Sequence, residues 1–187
     1  MLLAAVLPLV AVPVLLAPAS ALASSTKRKS RSCAYANLRP TFADTAIVDR
    51  ATLCLIEQVR ATYHLRPLRS NHELRAVAGK QATNMVSHDY FSDDSPSGQT
   101  PGTLIAALPY GAHAASLSTA QNLGWGTLSA ATPAGIVAAW MHSPAHRKVI
   151  LTGEFREIGV GVSPAVPSIL GHGASGATYA VEFAVRG

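Results

Sequence analysis

His142 and His146 stand four residues apart, and that is the first spacing in this chain that could do chemistry. On one continuous helix it puts two imidazoles on one face. Helical zinc sites use it, with a Glu directly after the first His as general base. Here Ser143 follows His142, and Pro144 biases Ser143 away from helix, so a shared face is not expected. The chain has no G-x-S-x-G elbow and no Gly-rich phosphate loop after a strand. Neither of its two cysteines, Cys33 and Cys54, has the look of a nucleophile. No generic catalytic motif remains.

The elements that would have to position these residues can be read from periodicity. Val48, Ala51, Leu55 and Val59 share a helical face that Tyr63 extends, with Asp44 or Thr45 as the N-cap. Ser70 with Glu73 reads as a capping box for a second helix, striped by Leu74, Ala78, Ala82 and Met85. Residues 91–98 form a turn cluster. Thr100-Pro101 and Thr132-Pro133 are N-cap and N1 pairs for two further helices, the first closed by Pro109-Tyr110-Gly111. Near Ser116 to Trp125 a short strand is expected. The runs 158–162 and 178–185 read as antiparallel strands joined by a loop at 163–177. Helices first and strands later indicate an α+β layered fold. Trp125 and Trp140 read as core anchors, and Tyr179 and Phe183 as neighbours on one side of the last strand. His64, His72, His88, His113 and His172 read as solvated surface.

A chain of 187 residues suits one domain. Its first 23 residues carry no charged side chain and end in Ala21-Leu22-Ala23, the cleavage pattern of a secretory signal peptide. An uncleaved anchor is the alternative, weakened by Pro8, Pro13 and the short length of the run. The net charge of +5 resides largely in Lys27, Arg28, Lys29 and Arg31 of a basic lead-in over 24–44. From Cys33 onward eleven basic residues face ten acidic ones, with no basic stripe, which excludes a nucleic-acid surface. The four tail cations could touch an anionic surface, or stay solvated. On an exported chain the pair Cys33 and Cys54 is expected to form a disulfide, which contributes roughly 3 kcal/mol in the loop-entropy model; two buried thiols are the alternative.

Six segments in order then carry a resemblance: CLIEQVRATYHLRPL (54–68), NMVSHDYFSDDSPSGQTP (84–101), AQNLGWG (120–126), WMHSPAHRKVIL (140–151), FREIGVGV (155–162) and ATYAVEF (177–183). Together the segments resemble the CAP superfamily of cysteine-rich secretory, antigen 5 and pathogenesis-related proteins, in its secreted bacterial branch. The likeness covers about 45–185 and places a CAP domain at 45–187. It implies a three-layer α-β-α sandwich with a central antiparallel sheet, and a cleft of His and Glu that in some members holds a divalent cation.

Carried over residue by residue, the cleft is altered. The family's FSH-type histidine position is Asp93, its GEN glutamate is Gln121, and its second glutamate position is Ser143. Only His146 is retained, in SPAHR, with Asn122 beside Gln121 expected to fasten a turn at the cleft. Zinc requires several converging N, S or carboxylate ligands, so neither a metal nor another cofactor is expected. The carboxylate moved to 93 instead suggests an Asp93–His146 ion pair with Gln121 hydrogen-bonded to one of them; the alternatives are drift in a spent cleft and an Asp93 that points into water. The expected function is a secreted or envelope-associated binding module for a lipid, a cell-wall glycan or a protein. An envelope scaffold and a metal-dependent, protease-like hydrolase are the alternatives. The lost His and Glu weigh against an enzyme.

Overall fold

The computed structural model describes residues 32–187. The expected signal peptide and the cations Lys27, Arg28, Lys29 and Arg31 lie outside the described residues. A four-stranded sheet forms the middle layer, with strands β1 (Arg69–Ser70), β2 (Leu117–Thr127), β3 (Glu157–Ser163) and β4 (Gly176–Arg186). Its order is β1-β3-β4-β2. β4 pairs antiparallel with both β2 and β3, while β1 runs parallel to β3 over two residues. The expected antiparallel sheet is therefore mixed at one edge, because the turn after the first helix lays Arg69 beside β3 before the second helix starts.

Helices α1 (Thr45–Thr62), α5 (Pro133–His142) and α6 (Pro144–Ile150) cover one face of the sheet. Tyr179, Val181 and Phe183 of β4 point into this layer, where they meet Val48, Ile56 and Trp140. Each such side chain, once buried, contributes roughly 1.5–3 kcal/mol. The alternation of β4 sends Ala180 and Ala184 to the opposite face, against α2 (His72–Ser87) and α3 (Pro101–Ala107). Small residues are required there. A Cβ added to Gly159 or Gly161 would lie 2.1 or 2.2 Å from the backbone of α2. The Gly-Val-Gly pattern of β3 thus records a helix lying directly on the sheet.

Local chemistry refines several expectations. The cap of α2 is Asn71, whose side chain accepts from the Glu73 and Leu74 N–H groups, because Ser70 is held in β1. Glu73 is released to accept from the Tyr110 N–H at 3.0 Å, tying α2 to α4 (Pro109–Ala112). Asp44 occupies the N-cap position of α1, but its carboxylate takes the Thr41 hydroxyl instead of a helix N–H. The buried face of α1 is Val48, Ala51, Thr52, Ile56 and Arg60, so Val48 and Ala51 are buried as expected, while Leu55 and Val59 flank the face and Tyr63 is exposed. The rotation follows from Arg60, which is fully buried and donates to the carbonyls of Ile150, Thr152 and Arg66.

Trp140 is a core anchor as expected, but Trp125 is 39% exposed because it lies near the end of an edge strand. The loop at 163–177 contains a single helical turn, α7 (Ser168–Gly171). Cys33 and Cys54 form a disulfide with Cα atoms 5.8 Å apart, which fastens the described part of the lead-in to α1.

Candidate functional site

The site grows from one cross-strand pair. In the β2–β4 register Gln121 stands opposite Glu182, and both side chains project to the α2 face. Gln121 Nε2 donates to Glu182 Oε1. Glu182 is fully buried, with Gly159 of β3 opposite it on the other side of β4. Burial pushes its carboxyl up to about 8; the Gln121 bond opposes that shift, and the nearby Asp93 charge adds to it. That shift favours the protonated form of Glu182 at pH 7. The second oxygens, Gln121 Oε1 and Glu182 Oε2, are buried without a hydrogen-bond partner.

Asp93, in the loop after α2, acts on this pair through its charge alone. The buried amide of Gln81 donates to the carbonyls of Ser92 (2.9 Å) and Asp93 (3.2 Å), which holds the loop over the sheet. Asp93 itself is exposed. The expected Asp93–His146 ion pair is not formed. The two ion pairs among the described residues both belong to Glu157, with Arg69 and Arg186, each at 3.9 Å. The neighbour that Asp93 acts on is Glu182, a residue that the sequence pattern placed in a strand and assigned no role.

Gln121 and Asn122 are adjacent in a strand, so their side chains leave opposite faces of the sheet. Asn122 is buried on the α5–α6 side, where its Nδ2 donates to the His146 carbonyl at 3.0 Å. It fastens a helix to a strand, not a turn. Trp140 Nε1 donates to the Leu123 carbonyl at 2.7 Å, one residue further along β2. Ser143 is the half-buried N-cap of α6 and makes no side-chain cap. Pro144 starts a new helix there, so His142 and His146 belong to different helices. His142 Nδ1 bonds back to the Ala138 carbonyl at 2.7 Å. The predicted site residues thus divide: Asp93 and Gln121 join Glu182 on one face, while Asn122, Ser143 and the His146 backbone lie on the other.

A separate groove of about 850 Å³ lies between the lead-in and the β3–β4 connection. Leu38, Pro40, Phe42, Leu128 and Val166 contribute to its walls. Phe42 is 83% exposed and Leu128 68%. Periodicity gave no signal for this groove, because its walls come from short segments far apart in the chain. Glu182 did carry a signal, as a lone carboxylate inside the apolar run TYAVEFAV, where an ionised group is costly unless paired.

The donor set does not fit the cation expected of the family's cleft. Among the described residues no three His, Cys, Asp or Glu side chains gather into a potential metal site. Glu182 favours its protonated form and is closed against Gln121, and the other acid there is the exposed Asp93.

The sequence profile of the cysteine-rich secretory protein family, CAP, matches residues 53–166, and the chain belongs to that family. A curated relative, the uncharacterized protein YkwD of Bacillus subtilis, is 34% identical over 98 residues, which are 52% of this chain and 35% of that protein. The chain thus matches about a third of the relative's length. Among solved structures, an extracellular protein containing an SCP domain from Bacillus anthracis superposes with a TM-score of 0.55 at 22% identity, covering 75% of this chain and 40% of that one. An outer surface protein of Borrelia burgdorferi gives 0.58 at 20% identity, covering 72% and 90%. A cysteine-rich secretory protein of Staphylococcus aureus gives 0.55 at 20% identity, covering 77% and 40%. These structures share the α+β fold of this chain.

Proposed function

We propose that this protein is a secreted or envelope-associated CAP domain that binds a partner and neither hydrolyses a substrate nor holds a functional metal. The observation that carries this reading is the closed Gln121–Glu182 pair. Hydrolysis needs a base within hydrogen-bond reach of a nucleophile or of an activated water. The acid on the sheet is sealed, favours its protonated form at pH 7 and is bonded to an amide, and both cysteines are consumed in a disulfide. The open groove with its exposed Phe42 and Leu128 supplies contact area instead.

The test is calorimetry with zinc and with calcium on the folded domain. It is run beside binding assays with phosphatidylglycerol vesicles, purified peptidoglycan and blocked peptides. Binding to at least one of the three probes, with no zinc heat in the micromolar range, is the expected result. Submicromolar zinc affinity with metal-dependent peptide cleavage overturns the reading, as does failure of all three probes.

A further inference from the structure

Among the described residues β2 is the outermost strand of the sheet and is paired on one side only. Its hydrogen-bonding phase is set where Ser116 and Gly187 exchange bonds in both directions, at 3.4 and 3.1 Å. In an antiparallel ladder every second residue pair does this. With Ser118 opposite Val185, Ala120 opposite Phe183 and Asn122 opposite Val181, even-numbered residues of β2 direct their backbone groups to β4. Thr119, Gln121, Leu123 and Trp125 therefore turn theirs to the outer edge. Two contacts confirm the phase. The Leu123 carbonyl points outward and is taken by the Trp140 indole, and the Ala184 carbonyl of β4 faces β3, where it accepts from the Arg156 N–H at 3.0 Å.

Beyond that indole bond, the outward backbone groups of Thr119, Gln121 and Trp125 have no partner among the described residues. Exposed edges are commonly blunted by Lys, by Pro or by inward-pointing charge. The stretch TAQNLGW has no charge and no proline. Asp93 lies within electrostatic reach of Glu182, the partner of Gln121 at the middle of this stretch, and it takes part in no ion pair among the described residues.

We propose that the outer edge of β2, from Thr119 to Trp125, receives an extended polypeptide segment of a partner protein carrying a Lys or Arg beside Asp93. Leu123 is buried and its carbonyl is capped by the indole, so the open groups are those of Thr119, Gln121 and Trp125; at about 6.6–6.8 Å per two residues, their spacing is matched by another peptide backbone. A lipid tail or a glycan has no such series of backbone groups. The inference rests on the binding reading above and names its partner class.

Two measurements test it. In the free protein, amide hydrogen exchange at Thr119, Gln121 and Trp125 is expected to be about tenfold or more faster than at Ala120, Asn122 and Gly124. Equal protection means the edge is already covered and overturns the proposal. The probe is then the blocked heptapeptide Val-Thr-Val-Lys-Val-Thr-Val at millimolar concentration. It should protect the three outward amides, and the same peptide N-methylated at alternate residues should not. Asp93→Asn should weaken binding about threefold. No protection at the edge overturns the inference. If vesicles or peptidoglycan bind while the edge stays unprotected, the binding reading survives and this one falls. Equal binding of the N-methylated peptide shows that backbone pairing plays no part and overturns it as well.

Discussion

Gln121 and Glu182 face each other across two antiparallel strands and share a hydrogen bond on the α2 face of the sheet. The family's glutamate position is an amide here, and a carboxyl stands one strand away, in direct register. The pair keeps an acid near the cleft but seals it. A neutral carboxylic acid there needs no counter-ion, whereas its ionised form would face Asp93 in a poorly solvated space.

That burial makes stability depend on pH. The folded carboxyl titrates near 8, against an ordinary 4.5. Between those values the folded state binds the extra proton, so stability is full below 4.5, falls as pH rises, and levels off above about 8. Asp49, pushed by burial to about 7, contributes a slope of the same sign. Glu182→Gln keeps the shape and removes the titration. Urea unfolding from pH 5 to 9 should show a shallower decline in the variant, the pH-dependent loss that it removes being on the order of 5 kcal/mol by pH 9. Parallel curves would show that Glu182 is not the buried acid.

Asp93 and His146 should act independently. A double-mutant cycle combining Asp93→Asn with His146→Ala should give a coupling energy within about 0.3–0.5 kcal/mol of zero. A coupling above about 1 kcal/mol would restore the ion pair that the sequence suggested.

Asn122 should matter to the seating of α6. Asn122→Ala removes the 3.0 Å bond to the His146 carbonyl and is expected to cost about 1–2 kcal/mol. The accompanying readout is backbone amide shifts in residues 144–150. Changes confined to β2, with α6 unmoved, would contradict the link.

Arg60 should be irreplaceable by lysine. Its buried guanidinium binds three carbonyls from two separate chain segments. Arg60→Ala should destabilise by roughly 3–5 kcal/mol. Arg60→Lys should recover less than half of that loss, since an ammonium cannot span the same fork. Full recovery in thermal or urea unfolding would mean that charge alone suffices.

The sequence by itself determined most of the elements and the family. The α2 stripe of Leu74, Ala78, Ala82 and Met85 is buried, Thr100-Pro101 and Thr132-Pro133 start helices, and Tyr179 and Phe183 share a core face. These signals are local, since caps act within one turn and side-chain alternation within one strand. Tertiary structure decided the site. Whether the charge of Asp93 acts on His146 or on Glu182 depends on how Gln81 holds a loop and on which strand lies opposite β2, and neither relation has a period in the chain. Gln121 and Asn122 could be read as neighbours in one cleft until the pleat sent them to opposite faces of the sheet. The charge of Glu182 was likewise a tertiary matter, because a carboxyl's proton affinity is set by the solvent and charges around it.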